Sequence, residues 1–189
     1  MPNPTILEIK SAYAKFEHDL MKSGKLPMHS TDVGFWHGSN IDEIFQLFRE
    51  IKLDRYKNFL DLGSGDGRVT LIASLFTSST GIEFDKNLVE KAEEIKSIIG
   101  IKNAVFHQKN FYGHSIEGHD IVFVSPDSPM HRGLENKFLK ELTGKLIVNS
   151  PHFHPTLLMK EKEFWINDNF SAVYRNAIQT PSLRKNLLI

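Results

Sequence analysis

The sequence predicts an α/β protein with a mostly parallel sheet and helices on both faces. Apolar, strand-like runs alternate with segments of helical periodicity from residue 57 onwards. The run at 120–124 is almost continuously apolar, which is typical of a central strand buried on both faces. Two later runs, near 160–167 and 171–179, are joined by Asn-Asp-Asn and predict an antiparallel hairpin at the end of the sheet.

The remaining elements follow in chain order. Residues 5–22 carry apolar side chains at helical spacing and predict an amphipathic helix. A loop is expected over 25–39, and Asn40 followed by Glu43 marks the start of a second helix. The sheet region is expected to contain strands 57–61, 80–84, 103–107, 120–124 and 145–149, and helices 68–76, 86–99 and 133–142. We expect one domain, 1–189, with a helical extension and cap at 1–55 and a core at 56–180.

The composition limits the classes of function. The chain has 189 residues and a formal net charge of zero, so it has no overall positive field to hold nucleic acid. It contains no cysteine, which excludes disulfides, a thiol nucleophile and a cysteine zinc site. No apolar run approaches membrane-spanning length, and the first residues lack a signal-peptide pattern. We expect a soluble, cytoplasmic protein with no membrane partner.

One glycine-rich segment carries most of the functional information. Residues 61–68 read Asp-Leu-Gly-Ser-Gly-Asp-Gly-Arg and follow a predicted strand. Gly63, Gly65 and Gly67 allow a sharp turn and a close approach of backbone to ligand, and the next helix presents free N–H groups. Glu83 ends the next strand about 20 residues further on, where an acid can bind a ribose diol. The pattern predicts a site for a nucleoside-bearing cofactor.

The glycine spacing narrows the identity of that cofactor. A dinucleotide fingerprint would need glycine at 68 or 70, where Arg68 and Thr70 stand, and no Gly-Lys-Ser/Thr segment is present for a P-loop. The pattern acid-x-Gly-x-Gly-x-Gly resembles the first motif of the class I S-adenosylmethionine-dependent methyltransferases. This resemblance implies a Rossmann-like methyltransferase fold: a seven-stranded, mostly parallel sheet with a C-terminal antiparallel hairpin and N-terminal helices. It also implies S-adenosyl-L-methionine as the cofactor.

The resemblance assigns cofactor contacts to particular residues. It implies that Asp61 orders the glycine loop near the methionine amino group, that Glu83 binds the ribose, and that Asn110 reads the adenine amino group. The alternatives, which involve no ligand, are that Asp61 only caps the turn, that Asn110 is a turn residue, and that Glu83 is a surface acid. The full set of implied cofactor-binding residues is Asp61, Gly63, Ser64, Gly65, Gly67, Glu83, Asn110 and Phe111.

Three features resemble the small archaeal protein-lysine methyltransferases. They are the segments 61–68 and 109–112 and the succession of 120–124, 134–142 and 146–150, and the resemblance extends over roughly 33–180. It implies a protein substrate with a lysine acceptor, whose neutral amine an apolar channel would favour. Phe35, Trp36 and Tyr112 are the candidate lining of that channel, and the alternative is that they are ordinary core aromatics.

The segment 125–129, Ser-Pro-Asp-Ser-Pro, departs from that group. It faintly resembles the Asn/Asp-Pro-Pro-aromatic motif of enzymes that methylate amino groups of bases or of glutamine, but the second proline and the aromatic are missing. Tyr112, Ser125 and Asp127 are the candidate catalytic residues. For the protein, the alternatives are an RNA or small-molecule amine methyltransferase that uses this loop and a non-catalytic cofactor-binding interaction protein. For the loop itself, the alternative is that its prolines only shape a surface turn.

The remaining charged residues are interpreted as surface groups. Two histidines, His152 and His154, are expected to form a solvated pair, because the sequence offers no third ligand for a metal. The loop 25–39 is expected to close over the cofactor. The sequence leaves open the acceptor atom, the degree of methylation and the oligomeric state. The helix residues interpreted as surface charges are Arg68, Lys86, Lys137 and Lys140.

Overall fold

The computed structural model describes residues 4–31, 34–130 and 133–177. Its strands are β1 (Met28–Thr31), β2 (Gly34–His37), β3 (Asn58–Leu62), β4 (Ser78–Glu83), β5 (Ala104–Gln108), β6 (Ile121–Val124), β7 (Lys145–Asn149), β8 (Met159–Ile166) and β9 (Asn169–Arg175). Strands β3 to β9 form one seven-stranded sheet in the order β5-β4-β3-β6-β7-β9-β8. Within this sheet the other six strands share one direction, and β9 runs antiparallel to them. The predicted α/β fold, with its mostly parallel sheet and terminal hairpin, is confirmed.

The helices begin and end where local chemistry favours it. The Asn40 side chain accepts hydrogen bonds from the first free N–H groups of the second helix, as predicted, and Asp85 caps the fourth helix in the same way. That fourth helix ends at Gly100, whose φ of +80° suits glycine. Among the described residues, no helix has both the length and the apolar character needed to cross a membrane. The helices are α1 (Ile6–Lys22), α2 (Ile41–Glu50), α3 (Arg68–Ala73), α4 (Lys86–Ile99) and α5 (Leu134–Glu141).

The sheet is buried on both faces. In β6, Ile121 and Phe123 belong to one apolar cluster, together with side chains from α1, α2, α3 and α4. The alternate residues Val122 and Val124 belong to a second cluster, which includes side chains of α5. This alternation follows from the two-residue period of a strand, and it explains why β6 reads as a continuous apolar run. The N-terminal helices α1 and α2 therefore contribute directly to the core.

The segment 25–39 is not the loop that the sequence predicted. Strands β1 and β2 pair there as a two-stranded antiparallel hairpin, with His29 opposite Trp36 and Ser30 opposite Phe35. The strands are only four residues long and mix polar with aromatic side chains. Such short strands carry little periodicity, so the pairing between them was not readable from the pattern.

The order of the strands creates a crevice beside β3. The chain adds β4 and then β5 on one side of β3, and afterwards crosses to its other side to form β6. In an open parallel sheet such a reversal separates the loops that follow the two neighbouring strands, and ligands bind there. In this chain the two loops are the glycine segment that follows β3, defined here as the glycine loop 63–67, and the segment 125–129 that follows β6.

Candidate active site

A cavity of about 380 Å³ opens at this crevice. Its volume is within the range of small-molecule sites. The glycine loop, the ends of β4, β5 and β6, and the β1–β2 hairpin all contribute to its lining. All but one of the residues proposed from the sequence line this cavity. They are Phe35, Trp36, Asp61, Gly63, Ser64, Gly65, Glu83, Asn110, Phe111, Tyr112, Ser125 and Asp127.

Gly67 is the exception, and its role is packing. It is the last residue of the glycine loop and has a φ of +82°. A Cβ there would come within 2.6 Å of the Ala92 Cβ and 2.7 Å of the Phe106 ring. Glycine at this position lets α3 begin directly against α4 and β5. Gly65, in contrast, faces the cavity, with a φ of +55° and the Trp36 indole 2.7 Å from where a Cβ would stand.

Glu83 is tied to the glycine loop itself. One carboxylate oxygen accepts from the Gly65 N–H at 2.9 Å, and the other accepts from the N–H groups of Phe84 and Asp85 at 2.7 and 2.8 Å. The side chain is buried, so the surface-acid alternative does not fit. Three of the roughly four acceptor positions of the carboxylate are therefore used, and the oxygen that binds Gly65 can accept one more hydrogen bond, for example from a ligand hydroxyl.

Asp61 lies at the floor of the cavity. Its carboxylate accepts a 2.8 Å hydrogen bond from the Thr70 hydroxyl in α3. The pKa of this carboxyl is raised to about 7, chiefly by burial; the Thr70 hydrogen bond lowers it, and the nearby charges of Glu83 and Asp66 raise it. A buried acid with a raised pKa in a cleft is typical of a functional position, because a cationic ligand group can stabilise its charge.

Ser64 and Asn110 occupy the cavity wall at two different levels. The Ser64 hydroxyl is buried and has no hydrogen-bond partner within the described protein. A Cβ on Gly81 would stand 2.7 Å from this oxygen, so the hydroxyl lies against β4 rather than on the surface of the cavity. Asn110 follows β5, and its side-chain oxygen accepts from the Tyr112 N–H at 2.9 Å, so it does act as a turn residue. Its amide NH₂ remains available for other partners.

The β1–β2 hairpin contributes two aromatic side chains to the cavity lining, one from each side of β2. Trp36 is 7% exposed and packs between Phe16 of α1 and His29, with its indole against Gly65. Phe35, which is 49% exposed, lies on the opposite side of the strand. Trp36 therefore lines the buried part of the cavity and Phe35 its exposed part, although the sequence grouped both as substrate lining.

Asp127 binds the hairpin through the backbone. Its Oδ2 accepts from the Phe35 N–H at 2.9 Å, and a Cβ on Gly34 would come within 2.6 Å of the same oxygen. Ser125, the other proposed catalytic residue of this loop, donates its hydroxyl to the Asn149 carbonyl at 2.9 Å. The Asp127 carboxylate thus has one oxygen engaged by the hairpin, and its other oxygen has no hydrogen bond to the residues that the structure describes.

Replacing Asp127 with alanine is expected to loosen the hairpin. Removal of one charge-assisted hydrogen bond of about 1 kcal/mol should accelerate amide exchange of residues 34–37 roughly five-fold. Hydrogen exchange followed by mass spectrometry measures this, with Ser128→Ala in the same loop as the matched control. Equal exchange rates in both variants would show that the carboxylate does not hold the hairpin.

Three residues that the sequence assigned to the solvated surface lie elsewhere. Arg68 is 4% exposed and forms ion pairs with Asp66 and Glu17. Lys137 is 7% exposed and pairs with Glu141 of the next helical turn. A charged group at such depth is stable only when it is paired, and these partners explain the difference. The sequence signal that was missed for Arg68 is the acid Asp66 two residues before it, on the other side of Gly67, which indicates a local ion pair.

His154 is the third of these residues. Its Nδ1 lies 2.8 Å from the Tyr174 hydroxyl, and burial lowers the pKa of the ring. Its Nε2 is buried and has no partner in the described part of the chain. His152 is exposed, so the two histidines do not form a solvated pair.

Comparisons with known proteins agree with this geometry. A sequence profile described as a methyltransferase domain matches residues 53–163, which is more than half of the chain. A search of curated proteins finds no match to this chain. An RNA methyltransferase from Salinibacter ruber, solved with S-adenosyl-L-homocysteine, superposes with a TM-score of 0.68 at 18% identity, over 76% of this chain and 96% of that one.

A second solved structure has the same fold within a larger chain. It is the Pyrococcus abyssi tRNA (uracil-54, C5)-methyltransferase, also in complex with S-adenosyl-L-homocysteine. Its TM-score is 0.59 at 17% identity, over 74% of this chain and 40% of that one. At these identities the likeness concerns the fold, whereas the match to the family covers β3 to β7 and the loops that follow them, but not the β1–β2 hairpin. The chain belongs to the methyltransferase domain family.

Proposed function

We propose that this protein is an S-adenosylmethionine-dependent methyltransferase whose acceptor is the amine of a protein lysine. The observation that carries the proposal is the charge of the cavity. Asp61, Glu83 and Asp127 line it, and the one Lys or Arg among its described lining residues is Arg68, whose charge is matched by Asp66 and Glu17. A cavity with this excess of carboxylates favours cationic ligands over polyanions.

The residues around the cavity fit such a cofactor. Asp61 would hold the ammonium group of its methionine part, and Glu83 would accept a hydrogen bond from a ribose hydroxyl. Asn110 and Phe111 would contact the adenine. When bound, the cofactor supplies an electrophilic methyl carbon together with its own leaving group. The protein therefore needs to bind and orient the reactants and to exclude water.

The acceptor side is aromatic at its mouth. Phe35, Phe84 and Tyr112 are large side chains that remain partly exposed there. Their faces attract a cationic side chain during entry, and the drier interior then favours its neutral form, which has the free lone pair. The second carboxylate oxygen of Asp127, which lines the cavity, would accept a hydrogen bond from the amine. Ser125 would act as a wall, because its hydroxyl is already engaged by Asn149.

The second candidate is an RNA or small-molecule amine methyltransferase. Two observations favour it: the proline-containing loop 125–129 lines the cavity, and the two solved structures described above are named as RNA and tRNA methyltransferases. A non-catalytic role as a cofactor-binding interaction protein is the third candidate. Such a protein would bind its partner through the amphipathic helix α1, but the apolar residues Ile9 and Tyr13 of α1 are buried in the core.

Methyl transfer from methyl-labelled S-adenosylmethionine into a cell extract tests these candidates. For a protein-lysine enzyme, we expect label that protease releases and nuclease does not. Glu83→Ala should lose most of this label, whereas Glu90→Ala, on the exposed side of α4, should retain it. Label released by nuclease alone would overturn the lysine proposal in favour of the RNA candidate. Cofactor binding without any labelled product would favour the non-catalytic one.

A further inference from the structure

Arg68 joins three separate parts of the chain beside the cavity. Its guanidinium is buried at the start of α3, immediately after the glycine loop. Its partners come from the glycine loop, from α1 and from the segment that follows the β1–β2 hairpin. We infer that Arg68 is a positioning residue that couples α1 and the hairpin to the glycine loop, so that the N-terminal segment sets the shape of the cofactor site.

The link to the glycine loop is the Asp66 carboxylate. The Arg68 Nε lies 3.1 Å from both carboxylate oxygens, and Nη2 lies 2.7 Å from Oδ2. The two side chains are 5% and 2% exposed. At such depth the geometry is tightly constrained, since neither charge can be satisfied by water. The conformation of the loop at Asp66 is therefore tied to the position of this guanidinium.

The link to α1 has two components. Glu17 Oε1 lies 2.9 Å from the Arg68 Nη1, and the Tyr13 ring lies under the guanidinium, with Cζ 4.7 Å from the ring centroid. The Tyr13 hydroxyl also donates to the backbone carbonyl of Asp66 at 2.8 Å. Helix α1 therefore contacts the glycine loop both through Arg68 and directly. A shift of the helix would change the hydrogen bonds of the loop.

The link to the hairpin is made where the chain leaves β2. The Ser39 carbonyl accepts from the Arg68 Nη1 at 3.1 Å. Gly38 packs so closely on the guanidinium that a Cβ at this position would overlap it. The hairpin is thus held at its base by Arg68, while Trp36 rests on Gly65 nearer the cavity. The Arg68 contacts that hold the glycine loop therefore also hold the β1–β2 hairpin.

Two mild variants of α1 test this coupling without removing Arg68. Glu17→Gln weakens the ion pair, and Tyr13→Phe removes the hydroxyl bond to Asp66 while it keeps the ring. Lys10→Gln is the matched control, because Lys10 ion-pairs α1 to Asp42 of α2 rather than to the loop. Amide exchange of the full chain is measured without ligand. We expect Glu17→Gln and Tyr13→Phe to accelerate exchange of the amides at 63–68 and 34–39 about five-fold, and Lys10→Gln to leave them unchanged.

The second arm measures S-adenosylhomocysteine binding by calorimetry and rests on the proposed function. Glu17→Gln and Tyr13→Phe should weaken binding about five-fold, and Lys10→Gln should not weaken it. If the wild-type chain does not bind this ligand, the proposed cofactor is wrong, and the exchange of the ligand-free protein still decides the coupling. If all three variants exchange alike, or if the wild-type chain binds the ligand and all three variants bind it equally well, Arg68 has a structural role only and the inference fails.

Discussion

Replacing Asp61 with asparagine is expected to remove a pH dependence from both stability and cofactor binding. The carboxyl has a pKa of about 7 in the folded protein, against 3.8 for an ordinary aspartate. The folded state therefore binds the proton more tightly than the unfolded state between these two values. Stability falls as the pH rises through this window, and above pH 7 the buried charge costs up to about 4 kcal/mol. Asp61→Asn should therefore be more stable than wild type at pH 8 and should lose this advantage towards pH 4.

Cofactor binding should change in the opposite direction. An ammonium group beside Asp61 stabilises the charged carboxylate, so wild-type affinity for S-adenosylhomocysteine should rise by up to about tenfold per pH unit between pH 5 and 7 and then level off. Asp61→Asn should bind weakly and without this slope. Calorimetry and thermal unfolding at several pH values measure both effects. Asp42→Asn, an exposed acid of α2, is the control and should follow wild type. A parallel slope in Asp61→Asn would exclude Asp61 as the group that titrates.

Gly65→Val should abolish most of the cofactor affinity, by about 100-fold or more. Gly65 has a φ of +55°, which is unfavourable for a β-branched residue, and its Cβ would meet the Trp36 indole at 2.7 Å. The backbone cannot move freely, because its N–H is held by Glu83. Either the loop or the hairpin has to shift, and both line the cavity.

Gly100→Val separates the collision from backbone strain. Gly100 ends α4 with a φ of +80°, and nothing lies within 4 Å of where its Cβ would stand. This variant should lose stability through backbone strain and still bind S-adenosylhomocysteine like wild type. Binding titrations of both folded variants make the comparison. Near-normal affinity in Gly65→Val would mean that the cofactor does not lie against this loop.

The sequence by itself determined the elements whose signals are local. Asp85 and Gly100 delimit α4 at the predicted residues, and Asn40 caps α2. The glycine loop and Glu83 could be located from spacing alone, because a strand, a tight turn and a helix in succession leave few conformations open. Local capping and periodicity are properties of short segments, so no knowledge of distant residues was needed.

Only the tertiary structure decided features that depend on distant partners. The hairpin at 28–37 exists because two very short strands pair and Asp127 holds them, and neither strand is periodic enough to be recognised. Arg68 is buried because Glu17 and Ser39, 51 and 29 positions away, complete its shell. The different positions of Trp36, which packs against Gly65, and of Phe35, which stays half exposed, arise in the same way. Burial and charge pairing are collective properties of the packed chain, and a residue's own neighbours in sequence do not carry them.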